Sequence, residues 1–290
     1  MDWSRESLER VVAEALPGAR VLGLRALEGG VSADVQAVRL QRHDGSIEAL
    51  VVRRHPRSPE RVRMEHALLS VLHPMGIPAP KPLALVPTAR GPACVMPLVD
   101  GTTEWADEPT ALHQMARTLA DIHAVPATHP HLPELPRRVD PLTEAQAWLA
   151  SPQVERVGPR VVGFEPVSEG ASCLLHGDFW PGNLLWRDGR LRAVLDWEDA
   201  AVGDPLSDVA CARVELACAA GPSAAATFTA AYASHRPVDA DRLGLWEVYV
   251  SSAALVYMET WGLPPVVEAA RRQATLAFLD AALLRLGPGD

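Results

Sequence analysis

The chain has 290 residues, 48% of them hydrophobic and 22% charged, with a formal net charge of -9 and four cysteines. Such a chain can bury a core as one large domain or two lobes, which excludes global disorder, and an acidic balance without a basic run argues against a nucleic-acid surface. No apolar run approaches the ~20 residues that span a bilayer, so no membrane partner is expected, and the charged start "MDWSRESLERVV" is unlike a secretory signal. A cytoplasmic location follows as the expectation, with Cys94, Cys173, Cys211 and Cys218 as buried, reduced thiols that form no C-x-x-C pair.

In chain order, an amphipathic helix is predicted over about residues 4–16, stopped by Pro17-Gly18. Three strand-like runs follow, "RVLGLRAL", "ADVQAVRLQR" and "IEALVVRR", the last two joined at Asp44-Gly45, a strong hairpin signal. Ser58-Pro59 reads as N-cap and first position of a helix running to about Leu72, and "KPLALV" and "ACVMPLV" read as further strands. From about Glu108 the pattern turns helical, with "PTALHQMARTLADIHAV" repeating apolar residues at three and four. A Pro- and His-rich stretch, "VPATHPHLPELPRRVDP", reads as a long loop, and Ala-rich helices are predicted near 205–220, 223–235, 240–260 and 265–286. A β-rich front (1–98, with a leading helix in 1–18) and an α-rich back (99–290) give an α+β, two-lobed reading, with a ligand site expected in a cleft between the lobes.

The chemistry concentrates in "LLHGDFWPGNLLW" and the following "LRAVLDWEDAAVGDPLSD". A turn between two buried strands needs no histidine, aspartate and asparagine. Asp178 and Asn183 share one loop, and Asp196 ends the strand-like run one hairpin later. Asn183 and Asp196 suit a hard cation such as Mg²⁺, which binds through oxygen and keeps water and phosphate ligands. Asp178 is then free to orient or deprotonate an attacking hydroxyl. That division of labour is what phosphoryl transfer requires.

The run H-G-D-x-x-x-x-N (176–183), then D-W-E (196–198), then G-D-P-x-x-D (203–208) resembles the aminoglycoside phosphotransferase and choline kinase family, relatives of the protein kinases. The resemblance implies a protein-kinase-like fold: an antiparallel-sheet N-terminal nucleotide-binding lobe with one inserted helix, and a mainly helical C-terminal lobe for catalysis and the acceptor. It implies a kinase using ATP or another nucleoside triphosphate and Mg²⁺, with Asp178 as catalytic base and Asn183 and Asp196 on the metal. His176 is expected to hold the loop and Asp208 to brace it. Gly29, Gly30 and Ser32 would approach phosphates. Arg53 or Arg54, only one of which can face the phosphates by strand alternation, would replace the lysine of protein kinases; Arg53 aligns better, with Glu65 as its ion-pair partner. Adenine would meet backbone near Met96 and Leu98.

The acceptor is expected to be a small hydroxylated molecule: an aminoglycoside, a macrolide, an amino alcohol or a similar metabolite. Candidate lining residues are Trp180, Glu198, Glu215, Trp246, Tyr249 and Trp261, with Tyr257 and Glu259 nearby. Aromatics with carboxylates suit a cationic amine or a sugar-like ring, although Trp246, Tyr249 and Tyr257 also fall at core spacing. Glu198 could instead reach a second metal or sit at the rim. Two rival readings are a catalytically silent nucleotide-binding protein, which the presence of Asp178, Asn183 and Asp196 opposes, and a metal-dependent hydrolase, for which His129 and His131 are too isolated. Oligomeric state is not legible.

Overall fold

A computed structural model of the protein describes residues 3–27, 33–105, 108–138, 140 and 171–286. The chain divides into two compact units. The first holds the segment up to Gly101 with His131–Glu134 and Arg192–Glu198; the second holds Thr102–Pro130, Leu135–Leu191 and the chain from Asp199 onward. The return of Arg192–Glu198 to the first unit is a feature that a sequence boundary at 98/99 does not provide for. It has a local cause: Val194 N–H donates to Pro78 O at 2.6 Å, and the side chains that follow it meet β3 and α2, as described below.

In the first unit α1 (Arg5–Ala15) starts where Ser4 Oγ accepts the Ser7 N–H at 3.1 Å. Its buried Leu8, Val11 and Val12, at helical spacing, join a core with Trp3, Val38, Leu40, Leu50, Val52, Val86 and Val95. Five strands, β1 (Arg20–Ala26), β2 (Asp34–Gln41), β3 (Ile47–Arg54), β4 (Ala84–Val86) and β5 (Ala93–Pro97), form an antiparallel sheet in the order β1-β2-β3-β5-β4. The β2–β3 turn closes as the sequence suggests: Gly45 takes φ +83°, and Asp44 Oδ1 accepts the Ser46 N–H and hydroxyl at 2.9 and 2.6 Å. Helix α2 (Pro59–Leu72) follows β3 and buries Val62, Glu65, Leu68, Leu69 and Leu72. Ser58 precedes it without making a side-chain cap bond, so Pro59 alone marks the start.

The second unit carries α3 (Glu108–Ile122), α4 (Pro205–Ala220), α5 (Pro222–Ala233), α6 (Ala240–Tyr257) and α7 (Pro265–Leu286). Helix α4 packs on α5, α6 and α7, and α3 packs on α5. The stretch read as a long loop contains a short strand, β6 (Arg137–Arg138). It pairs in parallel with β10 (Ala201–Gly203), which pairs antiparallel with β7 (Cys173–Leu175). A two-stranded hairpin, β8 (Leu184–Arg187) and β9 (Arg190–Val194), turns at Asp188 and Gly189, both at positive φ. Among the described residues no helix is long and apolar enough to cross a membrane.

Gly203 is required by packing. A Cβ on it would sit 1.9 Å from the Arg138 carbonyl oxygen, whereas one on Gly23 would meet nothing within 4 Å. Gly203→Ala should therefore cost ~3 kcal/mol of folding stability and Gly23→Ala no more than ~0.5 kcal/mol. Denaturant unfolding of the two variants checks this, and equal losses would contradict the assignment.

Candidate active site

The second unit builds the His176–Asn183 loop from its supports outward. Strand β7 ends at Leu175, and the chain turns at Gly177, where φ is +88° and a Cβ would fall 1.9 Å from the Asp199 carbonyl oxygen. Only glycine fits there. Gly203, Asp204 and Pro205 start α4: Asp204 caps the helix by accepting the Leu206 N–H at 3.0 Å, and Pro205 takes its first turn. One turn further on, buried Asp208 accepts the N–H groups of His176 at 2.7 Å and Gly177 at 3.0 Å. Arg138 Nη1 donates to the Gly177 carbonyl at 2.8 Å.

His123 Nε2 lies 3.2 Å from the same Asp208 carboxylate, and its Nδ1 lies 2.7 Å from the Tyr232 hydroxyl. Burial pushes the Asp208 carboxyl up, but the bond from His123 and the electrostatic pull of His123, His176 and Arg138 outweigh it and hold it below the usual range. Burial holds His123 below its ordinary value, with Asp208 opposing. A neutral ring donating from Nε2 and accepting at Nδ1 satisfies all three groups.

On this support His176 Nδ1 accepts the Asp178 N–H at 3.2 Å, and its ring meets Phe179 edge-on at 5.9 Å. Pro181–Asn183 forms a 3₁₀ turn. From it Asn183 Nδ2 donates to Asp178 Oδ2 at 3.0 Å and to Asp178 O at 2.9 Å. Asp178 and Asn183 are thus brought together. The Cys211 thiol, 3.8 Å from Asp178 Oδ1, completes the setting. Burial and the carboxylates of Asp178, Glu215 and Asp208 raise its pKa well above the thiol range, so it remains a donor.

In the first unit Arg53 occupies an equivalent central position. Its Nε lies 3.3 Å from Glu65, and its Nη2 lies 2.6 Å from both Asp196 and Glu198. Asp196 is held at φ +63°, a left-handed conformation uncommon outside glycine. Trp197, fully buried, donates Nε1–H to Val194 O at 3.0 Å and N–H to Glu65 at 3.4 Å. Burial pushes the Glu65 carboxyl up to about 7; Arg53 opposes this, and Asp196 and Glu198 add to it. Burial works against the Arg53 charge, but the three carboxylates outweigh it and raise its pKa. Arg54, next along the strand, points elsewhere: it pairs with Asp34 at 2.9 Å and stacks over Trp3 at 3.9 Å. Across the sheet Arg53 faces Cys94, and Val51 faces Met96. The Leu98 N–H is committed to Ala49 O at 2.9 Å, so that donor is not available to an adenine. Gly29, Gly30 and Ser32 lie outside the described residues.

The expected acceptor residues separate. Trp246 is fully buried, its Nε1–H donating to Asp204 at 2.6 Å, so it lines no pocket. Tyr249 packs edge-on against it and joins the apolar cluster of α6 and α7. Glu198 belongs to the Arg53 cluster, with Arg61 at 3.5 Å. Tyr257 and Glu259 are exposed. Trp180, Glu215 and Trp261 do converge, around Arg271. Sequence reasoning missed Arg138, His123, Tyr232, Cys211 and Arg271. Each acts across a long sequence separation, and only Cys211 carried a signal, its spacing of three from Asp208 on one helix.

A five-stranded antiparallel sheet with one inserted helix, a helical second unit and this loop define a protein-kinase-like phosphotransferase fold. The phosphotransferase enzyme family matches residues 23–246, and the chain belongs to that family. The fold is similar to macrolide 2'-phosphotransferase from Brachybacterium faecium (25% identical, 95% of this chain and 98% of that one, TM-score 0.63). It is also similar to choline kinase from Streptococcus pneumoniae (18% identical, 95% and 98%, TM-score 0.66). Acyl-CoA dehydrogenase family member 11 of Gallus gallus is 28% identical over 242 residues, 72% of this chain and 30% of that protein. The chain spans less than a third of the length of the curated relatives it matches.

The Asp208 network sets a pH dependence. The unfolded chain protonates His123 below about 6.5, while the folded protein, with a lowered value, does not; stability therefore falls as pH drops below that point. A second loss follows below about 3.8, where unfolded Asp208 takes up a proton that its folded form refuses. Thermal melts across pH should show the first loss in the parent and a flatter response in His123→Gln. Asp208→Asn, which turns an amide toward two backbone donors, should cost ~3 kcal/mol at neutral pH.

Proposed function

We propose that the chain is an enzyme that transfers the γ-phosphate of ATP, with Mg²⁺, to a hydroxyl of a small molecule. The observation that carries this reading is the Asp178–Asn183 pair on a loop held by Asp208. The acceptor oxygen attacks the γ-phosphorus, the bond between that phosphorus and the β–γ bridging oxygen breaks, ADP leaves, and the acceptor proton passes to Asp178. Asn183 fixes the carboxylate through Oδ2, and the Cys211 thiol meets the other oxygen. The loop's backbone support keeps Asp178 in place without ordering costs at the moment of transfer.

The donor atoms of each residue suit a hard cation. Asn183 commits Nδ2 to Asp178, which leaves its amide oxygen as a ligand, and Asp196 offers a carboxylate. These two residues would hold Mg²⁺, whose remaining ligands come from water and phosphate; bound there, it would neutralise developing phosphate charge. Arg53, kept in place by Glu65, would grip the α- and β-phosphates. Solved fold relatives include an aminoglycoside 2'-phosphotransferase with GDP and an aminoglycoside phosphotransferase with ADP and hygromycin B, which supports nucleotide binding and leaves a purine preference to be measured.

ADP release from Mg-ATP across a panel of hydroxylated acceptors tests the reading. Asp178→Ala should lower turnover at least ~100-fold while Mg-ATP affinity by calorimetry stays close to the parent; normal turnover would remove Asp178 as base. Asp196→Ala should weaken nucleotide binding in the presence of Mg²⁺, and an unchanged Mg²⁺ dependence would remove it from the metal site.

A further inference from the structure

On α4 the residues Asp208, Cys211 and Glu215 fall three and four apart and so share one face. The first holds the loop and the second touches Asp178. The third, nine-tenths buried, accepts a bond from Nη2 of Arg271, which projects from the second turn of α7. The Arg271 guanidinium stands 5.8 Å from the ring centre of Trp180 and 5.2 Å from that of Trp261. The Trp180 ring packs on backbone. Trp180 lies so close over Gly182 that a Cβ there would sit 2.2 Å from it; Trp261 ends a 3₁₀ turn closed by Gly262 in the left-handed region.

What distinguishes Arg271 is how little of it the protein uses. Arg213 donates to Glu247, Ala225 O and Thr229. Arg272, its neighbour on α7, donates to Leu255 O at 2.9 Å and Glu268 at 3.0 Å. Among the described residues Arg271 hydrogen-bonds Glu215 alone, its Nε and Nη1 donate to none of them, and its side chain is 22% exposed. An arginine placed only to neutralise Glu215 would need neither the free donors nor the two indole faces.

We propose that Arg271, framed by Trp180 and Trp261, is a specificity determinant of the acceptor site and binds a carboxylate carried by the hydroxylated acceptor. The inference rests on the phosphotransfer reading and refines its acceptor class. The indole faces exclude water and strengthen a charge-assisted bond from the free N–H groups. A cationic amine in the same place would face the guanidinium at close range, so the aromatic-plus-carboxylate wall that suggests an amine acceptor is already occupied by the protein's own cation. When a ligand carboxylate shares Arg271, Glu215 can take up a proton, because burial and the Asp178 charge already push its carboxyl up.

Glucuronate, glucose and glucosamine share a pyranose ring and differ in charge, which makes them suitable probes. Titrated against the full chain with Mg-ATP and followed by tryptophan fluorescence, glucuronate should bind about tenfold tighter than glucosamine. The gap should collapse in Arg271→Gln with Mg-ATP affinity retained. If that variant does not fold, Glu215→Gln serves instead; it frees Arg271 and should tighten glucuronate. Glucosamine binding as tightly as glucuronate, an unchanged ratio in Arg271→Gln, or no binding by any of the three overturns the proposal. ADP release in the same samples separates the two readings. Charge-selective binding without release under any acceptor keeps the subsite and overturns the transfer chemistry, and release without charge preference does the reverse.

Discussion

The carboxylate of Asp208 is shut off from solvent, yet it accepts two consecutive backbone N–H groups, from His176 and Gly177, together with a bond from His123. A buried charge is tolerable only with this degree of satisfaction, so the arrangement constrains everything around it. Helix α4 must begin where it does, which Asp204 and Pro205 secure. His123 must be neutral and correctly protonated, which Tyr232 secures. Gly177 must be glycine, since the backbone passes against Asp199. Asp178 takes its position from these residues and is fixed further by Asn183.

The first unit solves a different problem, how to keep several carboxylates close together. Arg53 faces Glu65, Asp196 and Glu198, with Arg61 reaching Glu198 from α2. Burial, with Asp196 and Glu198 adding to it, gives Glu65 a tendency to hold a proton. Lysine at position 53 would gather its donors on one nitrogen, whereas arginine divides the carboxylates between Nε and Nη2.

Much of this was legible in the sequence because it is local. The helices near 205–220, 240–260 and 265–286 follow from apolar period, the β2–β3 turn from Asp44-Gly45, and the loop from three short motifs in order. Arg53 could be ranked above Arg54 only by alignment; the strand's alternation and the location of Trp3 decide which face each takes. What the sequence hid was tertiary. Strand β6 is two residues long and lies in a Pro-rich stretch, with no pattern to announce it. His123 and Tyr232 sit 109 residues apart in one hydrogen bond. Trp246 shows the limit of reading aromatics as ligand walls, since the same residue type at the same spacing serves a core when its N–H finds Asp204. Glu198 was ambiguous for a related reason: a carboxylate beside a candidate metal ligand looks the same on paper whether it meets a cation or an arginine.

Arg138 joins the loop in two independent ways. Its guanidinium holds the Gly177 carbonyl, while its own carbonyl oxygen accepts the Asp204 N–H at 3.0 Å and lies against Gly203. The first role belongs to the side chain and the second to the main chain, which any residue supplies. Variation at position 138 would therefore loosen the loop while leaving the strand pairing and the start of α4 intact. Variation at position 203 would do the opposite, wedging the strands apart with the guanidinium contact still available. The two positions face each other across one pair of strands, yet heredity can alter the loop's grip and the sheet's seam one at a time.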